Sequence, residues 1–99
     1  MNEPRIISDQ VIGDIRQISL ETCPRVCSRG IAICVRNEII EDVVFYGGCS
    51  GNTQGVSALL RGMTVDDAIK RLKGIDCGGK GTSCPDQLAR GLEKVFHNI

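Results

Sequence analysis

The chain has 99 residues, of which 41% are hydrophobic, and its 12 basic and 12 acidic side chains cancel to a formal net charge of zero. This length suits one domain over residues 1–99 and excludes a second one. Neutral charge, with aromatic residues at only 3% and no Trp, argues against a nucleic-acid partner held by basic patches or stacked bases.

The first residues, MNEPRIISDQ, lack the charged and then apolar layout of a signal peptide. Apolar runs elsewhere are far shorter than the roughly 20 residues that cross a bilayer. We therefore expect a cytoplasmic protein without a membrane partner.

Three segments have the composition of β-strands. Ile15 to Leu20 alternates in apolar character, and β-branched runs follow over 31–35 and from Ile39 to Tyr46. Asn37-Glu38 predicts a tight turn between the last two. The sequence thus predicts an antiparallel sheet of about three strands.

After Gly47 the apolar period changes to that of a helix. We predict helices near 53–61, 65–72 and 84–97, which makes the fold class α+β, with three helices packed on the sheet. Gly62 separates the first two helices, Thr64 should cap the second, and Gly74 should end it; Thr82 or Ser83 should cap the third. The expected apolar faces are Val56, Leu59, Leu60 and Met63; Val65, Ala68, Ile69 and Leu72; and Leu88, Leu92, Val95, Phe96 and Ile99.

Six cysteines are many for a chain of this size, and without an export signal they favour metal binding or redox chemistry over disulfides. Four of them stand at predicted element ends, where the loops at one end of a small sheet can converge. Four thiolates about 2.3 Å from a zinc ion would form a closed structural site. The predicted ligands are Cys27, Cys49, Cys77 and Cys84.

Cys84 has a further chemical reason to be a ligand. It opens the third predicted helix, where unpaired N–H groups and the helix dipole favour a thiolate. Glycines near Cys77 and Cys49 would let the backbone turn around a metal. The spacing differs from the paired C-x2-C knuckles of zinc fingers, so a cluster of four free thiols remains an alternative.

The remaining cysteines and the one histidine are left outside the site. Cys34 is expected to be a small buried side chain within a strand. Cys23 could be an extra ligand or redox partner, or an incidental, partly exposed thiol. His97 should be solvated near the end of the last helix.

Three stretches carry a resemblance to a known family: VCSRGI at 26–31, FYGGCSGNTQGV at 45–56 and KGIDCGGKGTSCPDQLA at 73–89. They resemble the small bacterial proteins called TSCPD domains, over about residues 22–95. Such domains resemble a C-terminal segment of adenosylcobalamin-dependent ribonucleotide reductases, and stand-alone members are often described as ribonucleoside-diphosphate reductase. The resemblance implies Cys27, Cys49, Cys77 and Cys84 as the shared set.

A more distant likeness concerns the iron-sulfur scaffold proteins of the NifU and IscU type. The order of cysteine, strand, glycine-cysteine, helix and GMTVDDAI over residues 24–73 is similar to theirs. It implies a three-stranded antiparallel sheet with packed helices, and an iron-sulfur cluster as the alternative cofactor. The acidic residue that usually follows the first scaffold cysteine is absent here, because Ser28 and Arg29 follow Cys27, and Cys77 is additional.

These observations leave several functions in competition. A complete reductase cannot fit in 99 residues, which argues against autonomous catalysis. We expect a zinc-binding accessory or docking module of a ribonucleotide reductase, or of another protein partner, in deoxyribonucleotide synthesis. The alternatives are a thiol carrier, which would usually show C-x-x-C, and an iron-sulfur scaffold or carrier.

Overall fold

The structure is a computed structural model that describes residues 3–26, 28–47, 50–76, 78–79 and 81–97, without the side chains of 50–52. Within these residues it has four strands: β1 (Arg5–Ile12), β2 (Ile15–Glu21), β3 (Ser28–Arg36) and β4 (Ile39–Gly47). Three helices follow: α1 (Ser50–Leu60), α2 (Val65–Leu72) and α3 (Cys84–Phe96). The predicted α+β class is confirmed.

The sheet is a four-stranded antiparallel meander in the order β1-β2-β3-β4, so the prediction of about three strands was one short. The missed strand is β1, whose apolar residues stand in adjacent pairs instead of alternating. The register shifts between Ile6 and Ser8, which leaves Ile7 as an extra residue in the edge strand. Ile7 and Val11 are 54% and 68% exposed, so no buried face imposes an alternating pattern on this segment.

The predicted turns and caps of the other elements are confirmed. Asn37 and Glu38 have positive φ angles of 50° and 62°, the mirror-image conformation that joins twisted hairpin strands tightly. The Thr64 side chain accepts a hydrogen bond from the Asp67 N–H and caps α2, as predicted. Gly62 has a φ of 86° between α1 and α2.

One face of the sheet packs against the helices and forms the apolar core. The predicted faces of α2 and α3 are largely confirmed, with Leu88 and Leu92 fully buried. Leu59 was predicted to lie on the buried face of α1, but it is 76% exposed. The buried cluster consists of Ile18, Leu20, Ile31, Ile33, Val35, Ile40, Val43, Leu60, Val65, Ala68, Ile69, Leu88 and Leu92. Ile99 lies outside the described residues.

Gly91 allows α3 to approach the sheet closely. A Cβ at this position would overlap Leu20 Cδ1 and lie 3.0 Å from Leu20 Cδ2. Because Leu20 is itself buried in the core, it has little room to move aside. The absence of a side chain at Gly91 is therefore a packing requirement of the contact between α3 and β2.

The opposite face of the sheet carries half-buried and exposed side chains, among them Cys34, Val44 and Tyr46. Cys34 alternates with the buried residues Ile33 and Val35, which places it on this open face. The prediction that Cys34 is a small buried side chain was therefore wrong, because Cys34 is only half-buried. No helix within the described ranges is long and apolar enough to span a membrane.

Candidate metal centre at the start of α3

Cys84 is the first residue of α3, as the sequence predicted. Ser83 is the N-cap, and its hydroxyl accepts a hydrogen bond from the Asp86 N–H at 3.1 Å. The Cys84 side chain is buried, and the Ser28 hydroxyl donates to its sulfur at 3.1 Å. The sulfur thus combines the N-terminal end of a capped helix with a hydrogen-bond donor from the start of β3.

The other three predicted ligands, Cys27, Cys49 and Cys77, lie outside the described residues. Among the residues that are described, no three His, Cys, Asp or Glu side chains could together hold a metal ion. The four-cysteine site therefore stays a prediction. What can be described is the geometry of the residues beside those cysteines in the chain.

Ser28 and Gly47 lie directly opposite each other, at the first position of β3 and the last position of β4. In the chain, Cys27 comes directly before Ser28, and Cys49 comes two residues after Gly47. Because Ser28 also contacts Cys84, the ends of three elements meet at this edge of the sheet.

Asp76, the residue before Cys77 in the chain, binds two of the glycines that follow it. The Asp76 carboxylate accepts hydrogen bonds from the Gly79 N–H at 2.8 Å and from the Gly81 N–H. Gly78, Gly79 and Gly81 all have positive φ angles, which side chains rarely tolerate. These two hydrogen bonds bring Gly79 and Gly81 back to Asp76 shortly before α3 begins.

Three fully buried polar side chains, Thr82, Asp86 and Gln87, form a network beneath this edge. The Thr82 hydroxyl donates to Asp86 Oδ2 at 2.5 Å, and Gln87 Nε2 donates to Thr82 Oγ1 at 2.9 Å. Gln87 Oε1 accepts from the Cys23 N–H at 2.9 Å, and Asp86 Oδ1 accepts from the Gly74 N–H at 2.6 Å. The network joins the β2–β3 loop, the α2–α3 connection and α3.

Asp86 is a buried carboxylate that needs a counter-charge. Arg90 supplies it, because its Nε donates to Asp86 Oδ2 at 2.7 Å one turn further along α3. Arg90 also donates a hydrogen bond to the Glu3 carboxylate, and this bond is the largest cause that raises the pKa of Arg90. The chain start, α3 and the α2–α3 connection are therefore linked through one ion-pair network.

Sequence reasoning missed this polar network. The usable signal was a run of polar residues, Asp86 and Gln87, at the helical position where an apolar face begins. Cys23 was considered as a partly exposed thiol, yet its side chain is only 5% exposed and its loop is tied to Gln87. The three described cysteines, Cys23, Cys34 and Cys84, are all free thiols.

His97 is exposed at the C-terminal cap of α3, as predicted. Its Nε2 lies 2.6 Å from Asp66 Oδ1 on α2, at the far end of α3 from Cys84. It therefore contributes to the contact between α2 and α3, and it lies away from the place where the ends of β3 and β4 meet the start of α3.

A family model described as TSCPD domain matches residues 8–96, nearly the whole chain. The chain belongs to the TSCPD domain family. Neither a curated protein nor a solved structure gives a significant match to it. In this TSCPD domain the residues that spell the motif, 82–86, have distinct roles: Thr82 and Asp86 bind each other, Ser83 caps α3, Cys84 opens it, and Pro85 lies in its first turn.

Proposed function

We propose that this TSCPD domain binds one structural zinc ion through Cys27, Cys49, Cys77 and Cys84, and that it serves as an accessory or docking module of a ribonucleotide reductase. The observation that carries the metal site is the contact of Ser28 with both Gly47 and Cys84. It brings together the chain segments of three of the four cysteines.

The chain positions of the ligands support a compact site. Cys27 is bonded to Ser28, Cys49 follows Gly47 by two residues, and Cys77 is bonded to Asp76. A tetrathiolate zinc site requires four sulfurs at about 2.3 Å from the ion. The described ends of β3, β4 and α3 meet at one edge, which is the arrangement that such a site needs.

The chemistry of Cys84 also supports a metal. Zinc binds the thiolate, and the first turn of a helix offers N–H groups and a dipole that stabilise a negative sulfur. The Ser28 hydroxyl supplies a further hydrogen bond to the same atom. Four thiolates would leave zinc without an open position, so its role would be structural and not hydrolytic.

The link to ribonucleotide reductase rests on the family resemblance. A chain of 99 residues is too small to enclose a radical cofactor and a substrate barrel, so we propose a role beside the reductase in the cytoplasm. A zinc-fixed loop edge would offer such a partner a rigid surface.

Elemental analysis with thiol titration tests the metal site, on protein purified anaerobically without an affinity metal. We expect about one zinc per chain, with four thiols protected until the protein is denatured. Iron with acid-labile sulfide would instead favour the iron-sulfur scaffold. Protein without metal and with freely reactive thiols would contradict both.

Association with the reductase needs a separate experiment. The untagged domain should co-purify from a native lysate with a ribonucleotide reductase that activity assays show to be present, or should change its turnover when added. A Cys84→Ser variant serves as the control, because it should lose association if the zinc-fixed edge is the docking surface. A reductase that neither binds the zinc-loaded domain nor changes its turnover when the domain is added would contradict the docking role but not the metal site.

A further inference from the structure

We infer that Gln87 is a positioning residue of the metal centre: its amide fixes the β2–β3 loop against the α2–α3 connection, so that the cysteine-bearing segments are held in place before metal binds. This inference rests on the proposed metal site. It concerns a residue that would never touch the metal.

The oxygen and the nitrogen of the Gln87 amide are hydrogen-bonded to two different segments of the chain. Its Oε1 accepts from the Cys23 N–H in the β2–β3 loop, and its Nε2 donates to Thr82 Oγ1 just before α3. The side chain is fully buried, so water cannot replace either partner without entering the core. One residue therefore sets the distance between the loop that leads to Cys27 and the segment that leads to Cys84.

A closed ring of contacts carries this restraint to the sulfur of Cys84. The loop that begins at Cys23 leads along the chain to Ser28. The hydroxyl of Thr22, the residue before Cys23, donates a hydrogen bond to the Ser28 carbonyl at 2.6 Å. The Ser28 hydroxyl in turn donates to Cys84 Sγ. Since Cys84 lies one turn before Gln87 on α3, the ring begins and ends on the same rigid helix.

The network that contains Gln87 is complete. Within the described part of the chain, no buried side-chain nitrogen or oxygen lacks a hydrogen-bond partner. Removing the amide would leave the Thr82 hydroxyl with one partner fewer and the Cys23 N–H unpaired in the interior. A fully satisfied polar cluster is more specific in geometry than apolar packing, which suits a role in fixing loops.

The test compares Gln87→Met with Val65→Ala. Methionine has a similar length and fills the space but makes neither hydrogen bond. Val65 is buried at the start of α2, and its N–H donates to the carbonyl of Glu38 in the β3–β4 turn, at the opposite end of these strands from Ser28 and Gly47. Two rates are measured well below the unfolding temperature: zinc transfer to a chelator, and hydrogen exchange of the Cys23 N–H in zinc-free protein. For Gln87→Met we expect zinc transfer about tenfold faster than in a control of equal stability, and faster exchange at Cys23.

Each outcome decides the inference. If the wild type holds no zinc, the proposed function fails and the positioning role with it. If the wild type holds zinc but Gln87→Met transfers it no faster than Val65→Ala, only the positioning role is overturned. If Gln87→Met does not fold, the zinc-free wild type decides: protection of the Cys23 N–H close to that of the Ile33 N–H in β3 supports the inference, and exchange as in an open loop overturns it.

Discussion

Cys84 and Cys34 provide a matched pair of cysteines within one chain. Cys84 is a buried, hydrogen-bonded thiol at the proposed metal, whereas Cys34 is half-buried on the open face of the sheet. Cys84→Ser should abolish stoichiometric zinc binding and lower the melting temperature sharply, because zinc in a thiolate site contributes on the order of 10 kcal/mol of apparent binding free energy. Zinc analysis and thermal unfolding measure both effects.

Cys34→Ser is the control, and it should change the free energy of unfolding by no more than about 1 kcal/mol. Cys27→Ser, Cys49→Ser and Cys77→Ser should behave like Cys84→Ser. Equal losses of stability in Cys34→Ser and Cys84→Ser, with zinc unaffected, would show that the thiols are merely packed side chains.

Gly91 and Gly55 form a second matched pair, because both are helical glycines with different surroundings. Gly91→Ala should destabilise the fold by about 1–3 kcal/mol, since the new methyl group would overlap the buried Leu20 side chain. Gly55→Ala in α1 meets nothing within 4 Å and should be neutral or stabilising by up to about 1 kcal/mol. Urea unfolding of the two variants, monitored by circular dichroism, should therefore show a loss of stability in Gly91→Ala and none in Gly55→Ala.

At the scale of the element, β1 depends on its hairpin partner β2. Arg16 on β2 donates to both carboxylate oxygens of Asp9 on β1, at 2.8 and 2.7 Å, and its guanidinium lies 4.8 Å from the centre of the Phe96 ring on α3. These bonds lower the pKa of Asp9 from its ordinary value of 3.8, against a smaller opposing effect of desolvation. Arg16 thereby joins the edge strand to the helix layer.

The lowered pKa of Asp9 has a defined pH signature. The ion pair contributes fully above pH 3.8, and its contribution is lost as the pH falls through the lower folded-state pKa. The side chains are 33% and 29% exposed, so the contribution should be about 0.5–1 kcal/mol. Asp9→Asn should reduce the loss of stability between about pH 4 and pH 2, measured by urea unfolding at each pH.

The Arg5–Glu21 pair on the same hairpin is the control for this effect. Its side chains are 74% and 55% exposed, so Glu21→Gln should leave the acid limb of the stability profile nearly unchanged. An identical response in both variants would assign the acid sensitivity to the overall charge of the hairpin instead of to Asp9.

Elements with a buried face or a defined cap were predictable from the sequence, and those without were not. Thr64 and Ser83 were recognisable because a cap is a local contact between neighbours in the chain. The strand β1 was missed because its exposed edge and its bulge at Ile7 remove the alternation on which strand prediction depends. The exposure of Leu59 depends on where α1 lies on the sheet, which no local pattern specifies.

At the site, too, features set by local contacts were predictable and features set by distant contacts were not. The placement of Cys84 follows from the helix start that the sequence marks with Ser83 and Pro85. The role of Gln87 was not predictable, because its partner Cys23 is 64 residues away in the chain. Burial of Cys23 follows from that same long-range contact.

For the whole molecule, metal and stability should be linked by mass action. A ligand that binds only the folded chain stabilises it by RT ln(1 + [L]/Kd), which is about 4 kcal/mol at 1,000 times Kd. Chelator should lower the melting temperature, and added zinc should restore it in a concentration-dependent way. Cys84→Ser is the control, and its melting temperature should respond to neither reagent. A wild-type melting curve unaffected by chelator would show that the stability of the fold does not depend on bound metal.

The open face of the sheet carries a residue that can be used to follow zinc binding and unfolding. Tyr46 is the only tyrosine of the chain, which contains no tryptophan, so it dominates the intrinsic fluorescence. The residue is 58% exposed on β4 opposite Gly30, one position before the strand ends at Gly47. The native protein therefore carries its own optical reporter beside the proposed zinc site, and binding or loss of zinc there should be visible in its emission without any attached dye.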